Sequence, residues 1–474
     1  MAPPGKTATT GKVRAAQLLR VRSVWLSALA VLSVLAILMT AIYLGAIIDP
    51  AGNLRGLPVV VVDQDAGATT AKGPADLGPE VVRALTRTPA VSDRLGITVT
   101  GLPAAEAQMN TGAAYVTVLI PRGFTASVLA LARAPDRAPL PRVELLMNDR
   151  AGTFGVSLAE GVLEPALAKV SQGIGRHLRA VAAPDSAPAA LLAAPVTVTP
   201  VVYRPLPAHS GAGLTAFYVA LLVTIGGFLG GVIVNSMLDA ALGYATSEVG
   251  PWWRQRVPRP ITRWQTLLAK WVVAVPGTLL FTGLLIAIAA GAYGMDAPHW
   301  FGLWMYCWFA AAVIAIGTLA LFAALGTIGQ VIGILLFVYL ALASSGGTIP
   351  IQALPGFYRF AANFEPLRQI LGAVRAILYF NAAGDAGLDR GLVLTAIGLA
   401  FWLVFGAAVT RWYDRKGFDR IPPELRRYIE TSARGYKQRA DTGGNRPADQ
   451  ANQADRPGAM QRPPGQGQAG GRPV

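Results

Sequence analysis

The chain has 474 residues, of which 53% are hydrophobic and 14% are charged, and its formal net charge is +15. This composition argues against a soluble enzyme and is typical of a protein with several membrane-spanning helices. The positive charge does not indicate nucleic-acid binding, because the Lys and Arg residues flank long apolar segments. The single cysteine, Cys307, lies inside one of these segments and allows neither an intramolecular disulfide nor a thiol metal site.

The first apolar segment, residues 24–48, follows a basic cytoplasmic segment, residues 1–23. A helix needs about 20 apolar residues to cross the hydrocarbon core of a bilayer, and this segment meets that length. A cleaved signal peptide is the alternative. The apolar run is longer than that of a signal peptide, however, and no strong small-residue cleavage site follows it. We therefore expect an uncleaved anchor that forms the first transmembrane helix.

Residues 49–210 are mostly polar and predict a mixed α/β domain. β-Branched or alternating runs that end at turn signals predict strands at residues 57–63, 97–100, 114–120, 143–147 and 197–203. Helical spacing predicts helices at residues 79–87, 124–133 and 156–182. Residues 183–194, rich in Ala and Pro, are expected to form a surface linker. A segment of about 160 residues is large enough to bury a core of its own.

Five further apolar segments predict a bundle, with the second transmembrane helix at residues 211–236, helices three to five within 267–343 and the sixth at 392–410. Basic residues precede the first helix, lie in the loop between the second and third helices, and follow the last helix. This distribution places both termini in the cytoplasm and the α/β domain outside. The expected fold class is a polytopic α-helical protein of the cell membrane with six transmembrane helices, one before and five after a mixed α/β extracytoplasmic domain. The outside segment 344–391 departs from the charge rule, because it carries Arg359, Arg368, Arg375 and Arg390.

The predicted cytoplasmic loop, residues 237–266, joins the second and third helices. Helix formers predict a helix at residues 239–249, and the prolines that follow would end it. Asp239 and Lys270 lie near the cytoplasmic ends of their helices, and we expect their charged groups to reach the headgroup layer.

The predicted cytoplasmic tail, residues 411–474, includes a polar segment at 424–438 whose sequence favours a helix. Beyond about residue 440 the tail has almost no large apolar residue and is expected to be disordered.

No combination of residues indicates catalysis, and we expect neither an enzyme nor a bound cofactor. Three histidines lack the spacing of a metal site, namely His177, His209 and His299. Asp63 and Asp65 are two residues apart, which favours an ordinary turn over a calcium site. The tripeptide at residues 5–7 lacks the upstream glycine of a phosphate-binding loop, so ATP would have to be bound by another chain.

The second transmembrane helix carries two overlapping Gly-x-x-x-Gly pairs, which allow another helix backbone to approach closely. The residues with an expected packing or pathway role are Phe217, Gly226, Gly227, Gly230 and Gly231. Packing within one bundle is one interpretation, and a subunit interface or a translocation surface is the other. Charge is nearly absent inside the transmembrane segments, which argues against a proton-driven pump.

Glycines and prolines are concentrated in residues 344–391, which predicts broken or re-entrant helices. The residues singled out are Gly346, Gly347, Pro350, Pro355 and Arg375. At membrane depth such a backbone is tolerated only where protein or a water-filled cavity covers it. An ordinary outside loop is the alternative. Residues 369–379 then predict an amphipathic helix with Arg368 and Arg375 on its polar face.

Taken in chain order, these features resemble the membrane subunits of type-2 ABC exporters, and more narrowly the phage-infection-protein (YhgE/Pip) branch. The motifs that carry the resemblance are Leu57-Pro58 through Asp63, Asp65 and Gly67, then Ile120-Pro121 with Phe124, then residues 345–350 with Leu354-Pro355. The similarity covers residues 15–420.

The resemblance implies that two permease protomers, identical or different, form a dimer and that a separate cytoplasmic ATP-binding subunit holds the loop after the second helix. The contacts of that subunit would include Asp239, Glu248, Arg254 and Arg256. ATP-driven closure would expel an amphiphilic or lipid-like substrate outward. The expected partners are therefore the ATP-binding subunit, a second permease protomer and membrane lipids, with no nucleic acid.

Two other functions stay open. A non-transporting scaffold or surface receptor is the main alternative, because some members of the resembled branch are phage receptors or scaffolds of secretion machines. A membrane-embedded enzyme is the third, and almost no residue supports it.

Overall fold

The structure is a computed structural model that describes residues 22–70, 73–133, 139–181, 193–254, 256–421 and 431. Several predicted segments lie wholly or mostly outside these residues: the basic N-terminal segment, the linker at 183–194, the helix at 424–438 and the tail beyond 440. The chain divides into two compact units. The larger unit comprises residues 1–239 and 261–417, and the smaller unit comprises 240–260 and 418–474.

The first helix, α1 (Arg22–Ile47), precedes the α/β domain and is apolar on average. Its 26 residues are enough to cross the hydrocarbon core of a bilayer. The tyrosine hydroxyl of Tyr358 donates a hydrogen bond of 2.7 Å to the carbonyl oxygen of Ala41 in this helix. The helix is thus held against the later part of the chain, and its crossing of a membrane stays a prediction.

A five-stranded sheet forms the centre of the α/β domain. Its strands are β1 (Leu57–Asp63), β4 (Leu95–Val99), β5 (Val116–Ile120), β6 (Arg142–Met147) and β7 (Thr197–Val202), and a separate short hairpin consists of β2 (Ala68–Thr70) and β3 (Gly73–Ala75). The strand order is β4-β1-β5-β6-β7, and only the β5–β6 pair is antiparallel. The sheet domain and its five predicted strands are therefore confirmed.

Helices cover both faces of this sheet. They are α2 (Pro50–Asn53), α3 (Gly78–Arg87), α4 (Pro89–Ser92), α5 (Leu102–Asn110), α6 (Phe124–Arg133) and α7 (Asp149–Val181). Because side chains alternate along a strand, Val59 and Val61 of β1 lie in the core shared with α3 and α7, whereas Val60 and Val62 lie in a second core with α5. Burial on both faces explains the unbroken run of valines in β1.

The described residues between 215 and 421 are mostly helical. They form α8 (Thr215–Ala241), α9 (Arg263–Gly291), α10 (Trp300–Leu325), α11 (Thr327–Ser344), the short helices α12 (Gly356–Ala361) and α13 (Pro366–Tyr379), and α14 (Asp389–Arg415). Five helices in the described residues are long and apolar enough to cross a membrane, namely α8, α9, α10, α11 and the stretch Gly384–Arg415 that contains α14. The chain is therefore a helical membrane protein with a sheet domain.

Helices α10 and α11 form a tight hairpin. Only Gly326 separates them, with a φ of +61°, a conformation that glycine adopts without steric cost. A Cβ atom on Gly329 would lie 2.3 Å from the carbonyl oxygen of Leu321, so the two helices touch through this glycine. Helix α11 is 18 residues long and contains a π-helical stretch, Leu335–Leu340.

Helix α13 packs into the bundle and is not part of an exposed loop. Its apolar residues, including Leu367, Ile370 and Val374, lie in the same core as residues of α8 and α10. Glu365 caps its first turn by accepting hydrogen bonds from the backbone N–H groups of Leu367 and Arg368 at 2.6 and 2.8 Å. The packing of α13 supports the re-entrant interpretation of residues 344–391. Helix α12 differs, because Phe357 and Phe360 are 64% and 65% exposed.

The smaller unit contains a two-stranded hairpin formed by β8 (Ser247–Val249) and β9 (Trp252–Arg254). The helix predicted at residues 239–249 is therefore wrong beyond Ala241. Gly243 has a φ of +83° and Gly250 has a φ of +57°, both left-handed conformations that interrupt a helix and form turns. The helix-forming residues of this segment do not continue the helix, because these two glycines favour turns.

Candidate functional site at the junction of the α/β domain and the bundle

Two arginines join the α/β domain to the bundle by reciprocal hydrogen bonds. Arg375 of α13 donates through Nη1 to the carbonyl oxygen of Ala151 at 2.9 Å. Arg150, at the start of α7, donates through Nη1 to the carbonyl oxygen of Tyr379 at 3.0 Å. Its Nε and Nη2 atoms also donate to the carbonyl oxygen of Pro205 at 3.1 and 2.7 Å. Because Tyr379 ends α13, Arg150 places a cation at the negative end of that helix.

The start of α7 is fixed by a buried asparagine. Asn148 is 1% exposed, and its side-chain amide donates to the carbonyl oxygens of Met109 and Ala114 at 2.8 and 3.0 Å. These bonds hold the chain between β6 and α7 against α5 and the start of β5. Arg150 therefore projects from a rigid position on the domain.

The start of α8 belongs to the same junction. The backbone N–H of Ala216 donates to the phenol oxygen of Tyr379 at 3.3 Å, so Tyr379 contacts α8 through its side chain and Arg150 through its backbone. Phe217, the next residue of α8, is 4% exposed. A Cβ atom on Gly347 would lie 2.1 Å from the Phe217 ring, so this glycine gives the ring its space.

A cavity of about 290 Å³ lies at this junction. It is lined by Tyr115, Ala151, Gly152, Thr153, Phe154, Gly155, Gly213, Leu214, Gly346, Gly347, Thr348, Pro350 and Arg375. Gly152 has φ 141° and ψ 116°, so the helical part of α7 resumes only after it. A Cβ atom on Gly155 would lie 2.3 Å from the Tyr115 ring, so glycine is required where the ring crosses the helix.

The structure thus brings together most of the predicted residues of the re-entrant segment. Gly346, Gly347, Pro350 and Arg375 all line this cavity, and Gly346 has a φ of +72°. Pro355 lies apart from the cavity and precedes α12. The sequence did not predict that residues of the α/β domain complete the same cavity. The polar triplet Asn148-Asp149-Arg150 directly after β6 is the signal that could have indicated it.

The junction is rich in buried or partly buried positive charge. Burial lowers the pKa of Arg375, and burial followed by the proximity of Arg204 lowers the pKa of Arg150. Burial followed by repulsion from Arg390 lowers the pKa of Arg368. Burial removes water from these guanidinium groups, so each of them depends on hydrogen bonds or an opposite charge nearby for stabilisation.

The glycines of α8 pack within the bundle. A Cβ atom on Gly227 would lie 2.6 Å from the carbonyl oxygen of Ala311, and one on Gly231 would lie 2.8 Å from Cβ of Thr318, both in α10. A Cβ atom on Gly226 would likewise clash with the ring of Phe281 in α9. Gly230 differs, because its nearest neighbour would be a methyl group at 3.9 Å. Three of the four glycines therefore serve packing between helices of one chain.

A buried ion pair lies near the other end of α8. The Lys270 ammonium donates to Asp239 Oδ1 at 2.8 Å and to Asn235 Oδ1 at 2.7 Å. The side chains of Lys270 and Asp239 are 7% and 12% exposed. The expectation that both would extend to the headgroup layer is wrong. Each charge is neutralised by the other inside the protein, which removes the reason to reach water.

The other predicted loop residues lie in the smaller unit. Glu248 and Arg254 are exposed on the two strands of the β8–β9 hairpin. Arg256 donates to the carbonyl oxygen of Ala241 at 3.4 Å. Trp252, on the same hairpin, is 77% exposed. The hairpin therefore presents two charges and an aromatic ring.

An apolar groove of about 660 Å³ lies among α10, α13 and α14. Its lining includes Trp300, Phe301, Tyr306, Phe309, Ile377 and Leu392. His299 lies at one side, where its Nε2 is 2.7 Å from Oδ1 of Asn381. The groove could not be predicted from the sequence, because its lining residues come together only when α10, α13 and α14 pack.

The aspartates after β1 form a turn. Oδ1 of Asp63 accepts a hydrogen bond from the backbone N–H of Asp65 at 2.9 Å. The Asp65 carboxylate accepts from the backbone N–H and the hydroxyl of Thr125. Both carboxylates thus have local structural roles. Within the described residues no group of three His, Cys, Asp or Glu side chains could hold a metal ion.

Comparison with known proteins identifies one family. Residues 28–402 match the family described as "Protein of unknown function (DUF3533)". No curated protein matches the chain. Since the matched residues make up well over half of the chain, the chain belongs to the DUF3533 family.

Proposed function

We propose that this chain is the membrane permease subunit of an exporter that moves an amphiphilic or lipid-like substrate out of the cell with a separate ATP-binding subunit. The observation that carries the proposal is the path of α8. One end of this helix, at Ala216 and Phe217, contacts the cavity region and α13, and Asp239 near its other end lies directly before the smaller unit. Along the chain, α8 therefore leads from a candidate substrate region directly into the segment that carries a candidate partner surface.

The chemistry of the bundle supports an amphiphilic substrate. The apolar groove among α10, α13 and α14 has aromatic and aliphatic walls suited to a hydrocarbon chain. The Lys270–Asp239 pair is neutralised internally, and the described parts of α8 to α11 carry no chain of carboxylates that could relay protons. Energy for export would then come from a partner subunit.

The exposed hairpin of the smaller unit supplies a surface for that partner. Glu248 and Arg254 are exposed, so their charges are available for intermolecular pairing. Trp252 adds a large apolar area of the type that dominates binding energy at protein interfaces. The proposed topology places this hairpin in the cytoplasm, where ATP is available.

The test is purification of the tagged protein from membranes in mild detergent, followed by an assay of ATP hydrolysis. We expect an ATP-hydrolysing subunit to purify with the intact chain and not with the double variant Glu248→Lys/Arg254→Glu. The control Lys169→Glu changes an exposed charge on α7 and should retain the subunit. Purification of the intact chain without any ATP-hydrolysing protein would overturn the proposal.

A scaffold or receptor role is the second candidate, and one observation favours it. Strand β7 is an edge of the sheet, and its Val201 and Val202 are 37% and 52% exposed. An exposed edge can pair with a strand of another protein. Recovery of a stable protein partner that is lost on Val202→Lys, with no ATP-hydrolysing subunit, would favour this role.

A further inference from the structure

The junction cavity contains a cation that the described part of the protein does not neutralise. Arg375 uses Nη1 for the bond to Ala151, whereas its Nε atom is buried without a hydrogen-bond partner. Neither the Arg142–Glu144 pair nor the Lys270–Asp239 pair includes Arg375. No Asp or Glu is among the residues that line the cavity. A guanidinium with a buried N–H group that lacks a hydrogen-bond partner is costly unless an anion completes it.

One wall of the cavity also suits an anion. The helical part of α7 resumes after Gly152, so its first residues, Thr153 to Gly155, place the positive end of a long helix at the cavity. The cation and this helix end therefore line one space.

The position of the cavity indicates what carries the anion. Gly213 and Leu214 directly precede α8, and Gly346 follows α11 by two residues, so the cavity lies where two candidate membrane spans end. This is the level of lipid headgroups in a bilayer. Phe154, which is 41% exposed, and Leu214 offer apolar surface beside it.

We propose that the junction cavity binds the oxyanion, a phosphate or carboxylate group, of an amphiphile, with Arg375 as its counter-ion. This assignment rests on the proposed function in one respect, because it takes the bound amphiphile to be a member of the exported class. A charge-assisted bond to a guanidinium gives an oxyanion both affinity and orientation. Zwitterionic and cationic amphiphiles would bind more weakly, because they do not neutralise the buried charge.

The test is equilibrium binding of radiolabelled dodecyl phosphate to the full chain in phosphatidylcholine nanodiscs. We expect saturable binding that Arg375→Gln weakens about tenfold or more, the loss expected for one charge-assisted hydrogen bond. Thr348→Trp, which fills the cavity from an exposed lining position and keeps Arg375, should also weaken binding. The matched control Arg359→Gln, which removes an arginine from α12 outside the cavity, should not.

Three competitors distinguish the sources of the anion. Competition by phosphatidic acid in the nanodisc would identify a bilayer lipid headgroup as a ligand, and competition by soluble dodecanoate would extend the site to carboxylates; both support the proposal. Equal competition by inorganic phosphate would show that the free anion is the ligand and would overturn the assignment to an amphiphile.

Unsaturable binding to the wild-type chain, or equal binding to both cavity variants, would overturn the site itself. The assay contains no ATP-binding subunit, so that failure would leave the proposed transport role standing. Conversely, specific binding by a chain that purifies without an ATPase would retain the site and remove the transport role.

Discussion

The buried Lys270–Asp239 ion pair is stabilised by a hydrogen bond to a neighbouring residue. Removing two charges from water is costly, and their attraction offsets the cost only when further hydrogen bonds are made. Asn235 supplies one of these bonds to the Lys270 ammonium. The pair is therefore sensitive to the loss of either member.

The variant Lys270→Met is expected to destabilise the protein by about 3 kcal/mol, because Asp239 would lose the cation that neutralises it. The measurement is the thermal midpoint of the purified protein in detergent. Lys169→Met, at an exposed position of α7, serves as the control and should change the midpoint little. Equal midpoints for the two variants would show that the buried pair contributes nothing to stability.

Glu365, which lies outside the five candidate spans, should make stability depend on pH. Burial raises its pKa from 4.5 to about 8, more than the N–H donors of Leu367 and Arg368 lower it. The folded protein thus binds a proton that the unfolded chain releases between these values. The contribution of Glu365 is fully present below about pH 4.5 and is lost as the pH rises toward 8.

The measurement compares thermal midpoints of the wild type and Glu365→Gln across this pH range. Glutamine keeps an acceptor for the first turn of α13 but cannot ionise. The wild type should therefore lose more stability than the variant as the pH rises. Parallel curves would contradict a raised pKa at this position.

At the scale of elements, α8 packs through glycines whose surroundings differ. Gly227→Ala should lower the thermal midpoint, since its Cβ would lie 2.6 Å from a carbonyl oxygen of α10 and overpacking costs about 1–3 kcal/mol. Gly230→Ala is the matched control, because its Cβ would meet nothing closer than 3.9 Å and alanine favours a helix. If Gly230→Ala lowered the thermal midpoint more than Gly227→Ala, another face of α8 would be the tightly packed one in the purified protein.

A second prediction concerns the joint between α7 and α13. Arg150→Gln removes the bonds to Tyr379 and Pro205, so amide hydrogen exchange in residues 205–214 should accelerate about tenfold or more, as expected for the loss of bonds to a charged group. Arg204→Gln removes the neighbouring charge but no hydrogen bond of this joint, and exchange there should stay near the wild-type rate. Unchanged exchange in both variants would show that the joint is held by packing alone.

The elements differ in how well the sequence predicts them. Helix α6 and strand β1 have the predicted bounds, because local pattern and tertiary packing agree in both. The helix expected after Asp239 ends at Ala241, since two left-handed glycines favour a hairpin there. The junction cavity could not be predicted, because Tyr115, Gly155 and Arg375 are brought together only by long-range packing. The pairing of Lys270 with Asp239 has the same cause.

At the scale of the whole molecule, the larger unit combines an α/β domain with a helical bundle, and Arg150, Arg375 and Tyr379 connect the two. A movement of α8 or α13 would therefore be transmitted to the domain through hydrogen bonds. In the proposed exporter this connection would link closure of the partner subunit to release of substrate outside. The proposed exporter depends on a second polypeptide that binds ATP.

The central claim is tested most directly by ATP-dependent transport of a fluorescent lipid analogue in proteoliposomes that contain the chain and its co-purified ATPase. We predict movement of the analogue away from the side of the hairpin, only with ATP, and its loss in the Glu248→Lys/Arg254→Glu variant. The control Lys169→Glu should transport as the wild type does. Movement that is independent of ATP, or no movement with an active ATPase bound, would contradict the account.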